Sequence, residues 1–124
     1  MKRYALAPCN GMSPNGLVAR VAVGDCRGEC ENAISICMGS TSADIDGKND
    51  SMLKKQDIIA VNGCANSCVN AILENRGIEV AGTINVGEVL KDFEVAARDP
   101  FRLDDEAEQC VFIIKEKLNE VVKK

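Results

Sequence analysis

The chain contains no histidine and no tryptophan among its 124 residues. Without histidine, a Ser-His-Asp or Cys-His triad is excluded. The commonest nitrogen ligand for metals is missing too. Any metal must therefore be held by sulfur, oxygen or an outside ligand. Aromatic residues make up 3% of the chain, three Phe and one Tyr. Few rings are available to stack on nucleic-acid bases, and the core must be aliphatic. Positive charge is not in excess, because the formal net charge is −4. An acidic chain repels phosphate backbones and anionic lipids, so neither nucleic acid nor membrane is expected as a partner. No apolar stretch approaches the roughly 20 residues of a membrane span. The apolar run after Lys2 and Arg3 is too short for the core of a signal peptide. These features together predict a cytoplasmic protein.

Seven cysteines are present. In a reducing compartment, clustered thiols point to metal or redox chemistry rather than structural disulfides, and an odd number argues against a full disulfide framework. The length suits one domain, residues 1–124, with a single core. No long repeat, low-complexity run or interdomain linker interrupts it.

Apolar patterning alternates strand and helix. Strands are expected at Tyr4–Pro8, Ala33–Cys37, Asp57–Val61 and Ile78–Val86. Helices are expected from Leu17 to Gly24 or as far as Cys30, at Ser51–Gln56, Ala65–Asn75, Gly87–Phe93 and from Asp104 onward. Residues 38–50 read as a polar loop. Gly77 reads as a helix stop, and Asp99-Pro100 as a break. In the last helix Ala107, Cys110, Val111, Ile114, Leu118 and Val121 form an apolar stripe, with acids at its start and Lys123 and Lys124 at its end. This alternation predicts an α/β fold: a short, mostly parallel sheet flanked by helices in a three-layer, Rossmann-like single domain.

Such sheets carry their functional groups outside the carboxyl ends of the strands. Cys9 follows the first strand, Cys37 ends the second, Cys64 follows the third, and Cys68 begins the next helix. All four can meet at one sheet edge. Cys64 and Cys68 have zinc-ligand spacing, and residues four apart on a helix share a face. Four thiolates at about 2.3 Å make a closed tetrahedral zinc site, and the same set can hold an iron–sulfur cluster. The competing reading is equally simple: cysteines are small, often buried residues near strand ends. Cys26 and Cys30 repeat the Cys-x-x-x-Cys spacing; a second metal pair or a redox switch is weighed there against an accident of a helix end, which Gly24 and Gly28 favour. Cys110 lies on the core stripe. The loop Gly11–Gly16 lacks a P-loop Lys, and Asn15 stands where a phosphatase loop has Arg. Asp44, Asp46 and Asp50 do not complete an EF-hand loop.

The chain resembles the DGC-domain family, to which zinc binding is ascribed. The stretch Ile58-Ile59-Ala60-Val61-Asn62-Gly63-Cys64-Ala65-Asn66-Ser67-Cys68 matches the family's Asp-Gly-Cys motif and following cysteine, Pro8-Cys9-Asn10-Gly11 matches its first loop, and Cys37-Met38-Gly39 its second. The resemblance covers residues 4–93 and implies Cys9, Cys37, Cys64 and Cys68 as ligands. Asn62 stands in place of the family Asp. An amide can cap a helix or orient a loop, but it cannot serve as a carboxylate ligand. The alternatives that remain are thiol redox or sulfur-transfer chemistry, and a metal-stabilised module for a protein partner.

Overall fold

A computed structural model describes residues 3–9, 11–43, 53–63 and 66–122. The sheet has four strands, β1 (Tyr4–Pro8), β2 (Ala33–Ser35), β3 (Asp57–Asn62) and β4 (Gly82–Asn85), in the order β2-β1-β3-β4. Every pairing is parallel, with Tyr4 beside both Ala33 and Asp57 and Asn62 beside Asn85. The central strands are buried on both faces, as Ala5, Leu6 and Ala7 in β1 and Ile58 to Asn62 in β3 show. Continuous apolar runs of this kind are what a doubly covered parallel strand requires.

The described helices are α1 (Pro14–Glu29), α2 (Met38–Ala43), α3 (Cys68–Asn75), α4 (Val86–Lys91) and α5 (Asp105–Val122). Connections from β1 to β2 and from β2 to β3 run in opposite directions across the sheet. Right-handed crossovers therefore put α1 on one face and α2 and α3 on the other. The contacts agree: α1 packs on α5, and α2 on α3. The three-layer expectation holds, and the strand order reverses between β1 and β3. The core is aliphatic, with Leu6, Ile58, Leu73, Ile114 and Leu118 fully buried, while Phe93, Phe101 and Phe112 are all exposed.

Several boundaries differ from expectation, each for a local reason. Helix α1 begins at Pro14 rather than Leu17, because Ser13 caps it: Ser13 Oγ accepts from Gly16 N at 3.0 Å and Pro14 fills the first helical position. It then runs through Gly24 and Gly28 to Glu29. The polar loop expected at 38–50 instead begins with α2, whose Met38 is buried and whose Thr41 hydroxyl donates to the Cys37 carbonyl at 2.9 Å. Residues 44–50, with the three aspartates, and 51–52 of the expected short helix lie outside the described residues. The fourth strand spans only Gly82–Asn85. Ile78 belongs to the end of α3 instead. Its N–H bonds Leu73 O at 3.0 Å while Gly77, at φ 69°, bonds Glu74 O at 2.9 Å. This is the glycine-terminated helix end foreseen at Gly77, with buried Ile78 as its hydrophobic closure. Val86 opens α4, capped by Asn85, and Asp104 caps α5 through a 2.8 Å bond from Ala107 N. Lys123 and Lys124 lie outside the described residues.

Candidate metal centre

The carboxyl ends of β1 and β3 flank the point where the strand order reverses, the usual place for a functional site in an open α/β sheet. Cys9 stands there, 3% exposed. It continues the ladder, with its N–H on Val61 O at 2.9 Å, and its sulfur accepts from Gly11 N at 3.3 Å. The Arg20 guanidinium of α1 donates to the Gly11 carbonyl at 2.8 Å and to the Cys9 carbonyl at 3.4 Å, which pins the loop after β1.

Gly63 accounts for the close approach of the loop after β3. A Cβ there would lie 2.5 Å from Gly16 N, 2.7 Å from Gly16 Cα and 2.8 Å from Asn15 C. A Cβ on Gly16 would in turn lie 2.6 Å from Gly11 O. Two backbone segments meet here at a distance only glycine permits. The first turn of α1 is thereby pressed against the end of β3. In the Gly11–Gly16 loop two N–H groups are already used, one on Cys9 Sγ and one on Ser13 Oγ.

Asn62 is fully buried and satisfied. Its Oδ1 accepts from Val69 N at 3.1 Å, and its amide donates to Asn70 Oδ1 at 2.6 Å. Asn70 passes the chain on to Thr83 Oγ1 at 3.0 Å. Ser67, the residue in the N-cap position of α3, makes no side-chain cap bond and has left-handed backbone, φ 52° and ψ 50°. A non-glycine residue held there costs on the order of 1–2 kcal/mol. Asn62, reaching across from β3, supplies the cap that Ser67 does not. Its side chain is occupied in tying α3 to the sheet, which answers what this residue does in place of the family Asp. The Gly63–Gly16 contact is not readable from the sequence beyond the glycines in both loops, whereas the capping capacity of the Asn62 amide is, though not which helix it caps.

The expected ligands fall as follows. Cys37 follows β2, where Ile36 N still bonds Leu6 O at 2.8 Å, and is exposed. Cys68 is the first residue of α3 and is exposed. Cys64 lies outside the described residues. Cys9 and Cys37 thus follow the carboxyl ends of β1 and β2, and Cys68 opens the helix capped by Asn62 at the carboxyl end of β3. Among the described residues, no three His, Cys, Asp or Glu side chains converge as a metal site. The argument that Cys64 and Cys68 share a helix face is corrected, because α3 begins only at Cys68. Elsewhere, Cys26 is buried and Cys30 half-buried. Burial, with Glu106 and Asp104 adding to it, pushes the Cys110 thiol up from its ordinary pKa. That thiol sits in the core between α5 and its neighbours as the stripe implied.

The DGC domain model matches residues 5–114. The chain belongs to the DGC-domain family. The match takes in β1 through most of α5, further than the quoted motifs reach. Neither curated proteins nor solved structures give a match. Among the described residues no helix is long and apolar enough to cross a membrane.

Proposed function

We propose that this DGC-domain protein is a cytoplasmic zinc-binding protein whose ligands are Cys9, Cys37, Cys64 and Cys68. The observation that carries the reading is the alignment of Cys37, Cys9 and Cys68 along one sheet edge, at the ends of β2, β1 and β3. The donor chemistry fits, since the chain has seven cysteines and no histidine, and Cys9 Sγ already accepts one backbone N–H. Strands lie about 4.8 Å apart, so β2 and β3 are separated by roughly 10 Å at this edge. Metal loading therefore requires the exposed Cys37 and Cys68 to close over buried Cys9. Zinc held by four thiolates supplies a cross-link rather than an open coordination site, which favours a structural role for the metal and a docking role for the surface around it.

The residues contribute in distinct ways. Gly63 and Gly16 bring the loops after β1 and β3 together. Arg20 fixes the loop that carries Cys9. Asn62 anchors the helix that begins with Cys68. Elemental analysis of protein purified without oxygen tests the proposal. Cys68→Ser and Cys64→Ser should each lower bound zinc by one equivalent relative to the parent chain. Iron with acid-labile sulfide in place of zinc would make the centre a cluster. Unchanged zinc in both variants would remove these residues as ligands.

A further inference from the structure

A second cluster of thiols lies at the opposite end of α1. Cys26 is in its last turn and Cys30 ends it, so the two are neighbours on one helix face. Both sulfurs lie against a single atom, Asn119 Oδ1 of α5. Cys26 Sγ is 3.4 Å from it and Cys30 Sγ 3.6 Å. Two thiolates and an oxygen around one tetrahedral zinc ion, with bonds of about 2.3 Å and about 2.0 Å, stand about 3.5 Å apart. The two observed sulfur–oxygen separations match those of such a donor set.

The electrostatic setting favours a cation. Cys30 terminates α1, and Asn119 lies in the last turn of α5, so two helix carboxyl ends meet here. Each brings the partial negative charge of a helix carboxyl end. Asn32 Nδ2 donates to Val122 O at 3.0 Å, which fixes the end of α5 beside the segment that follows Cys30. Cys26 is fully buried, whereas Cys30 and Asn119 are half-buried, so an ion has a route from solvent.

We infer that Cys26, Cys30 and Asn119 form a second metal site, for one thiophilic divalent cation of the zinc class, with a fourth position open to water on the side of Cys30. The ion replaces the two thiol protons, which leave to solvent, and no electron is transferred. This site shares no residue with the strand-edge centre.

Cadmium is the probe, because its thiolate complexes absorb by charge transfer. The full chain, reduced and kept without oxygen, is titrated with Cd2+ while absorbance and bound metal are followed. Cys30→Ser and Cys26→Ala should each remove one equivalent of Cd2+ uptake. Asn119→Asp should tighten this equivalent, and Asn119→Leu weaken it, by roughly tenfold or more, the scale on which changes around a metal act. A Cys30→Ser protein that stays folded by circular dichroism and takes up as much Cd2+ as the parent overturns the site. So does uptake that is lost with Cys30 yet indifferent to both changes at Asn119. Since Cys30 is half-buried, its variant carries the test even if Cys26→Ala fails to fold. Loss of one equivalent in Cys68→Ser alone speaks only to the strand-edge centre.

Discussion

The chain contains the spacing Cys-x-x-x-Cys twice, at Cys26/Cys30 and Cys64/Cys68, and the second cysteine of each stands at an opposite kind of helix end. Cys68 opens α3, whereas Cys30 closes α1. Cys68 is exposed, and the helix it opens is capped by Asn62 at the end of β3. Cys26 and Cys30 face inward, where the side chain of Asn119 on a helix some ninety residues away receives both thiols. Identical spacing therefore specifies nothing about surroundings. A helix start offers unpaired N–H groups and an approach from the strand edge, while a helix end offers carbonyls and a packed neighbouring helix.

The comparison can be broken most severely at Gly63. Gly63→Ala places a Cβ within 2.8 Å of the backbone at Asn15 and Gly16, where no flexible side chain can yield. A loss of about 3 kcal/mol or more is expected, and should be visible as a large fall in denaturation midpoint. A variant of near parental stability would show that the two loops do not meet as described. Next in size is Asn62. Asn62→Leu removes the cap of α3 and leaves the buried Val69 N–H without its acceptor and half-buried Asn70 Oδ1 without its donor, at about 2 kcal/mol. Asn62→Asp, the family residue, retains the acceptor for Val69 N, and Asn70 can turn its amide to donate. It should cost less than half as much by urea unfolding at neutral pH.

The other pair is sharpened by strengthening its helix. A Cβ at Gly24 or Gly28 would meet nothing within 4 Å, and both lie inside α1. Gly24→Ala and Gly28→Ala should each stabilise the protein by about 0.5–1 kcal/mol, read as a raised melting temperature. A fall would mean that the carboxyl end of α1 is not helical. The smallest effect concerns Glu106 in the first turn of α5, the helix that brings Asn119 to the thiols. A hydrogen bond from Arg98, then one from Ala96 N, hold its carboxyl below the ordinary carboxylate range. A depressed carboxylate stabilises the fold above its unfolded pKa, and that contribution disappears as pH falls through the folded value. Glu106→Gln should therefore lower the urea midpoint slightly at pH 7 and not at all in acid. An equal difference at both would assign the effect to something other than charge.

Much of the fold is legible in the sequence where apolar runs have one interpretation. Tyr4–Pro8 and Asp57–Val61 read as buried strands because they are short continuous apolar runs that stop at turn residues, and the stripe from Ala107 to Leu118 reads as a helix because it recurs at three- and four-residue steps. Helix α2 is not legible, since Gly39-Ser40-Thr41-Ser42 reads as loop and only Met38 signals burial. The fourth strand is shorter than its apolar pattern suggests, because Ile78, though a strand-favouring residue, is buried where it closes the end of α3. For the candidate centre, the ends of strands were readable and so were the cysteines on them. The role of Asn62 was not, because a buried amide can cap, bridge or ligate until its neighbours are known.

Sequence alone determined that any metal here must be bound through sulfur, oxygen or an outside ligand, since it provides no histidine, and that Cys9, Cys37 and Cys64 stand at strand ends in an alternating α/β pattern. Both follow from composition and local periodicity. Tertiary structure alone decided that Gly63 lies on Gly16, that Asn62 rather than Ser67 caps α3, and that Cys26 and Cys30 share Asn119. Those contacts join segments distant in the chain. They arise from how helices pack on each other and on a sheet, and no local pattern encodes which residues of two separate elements come face to face.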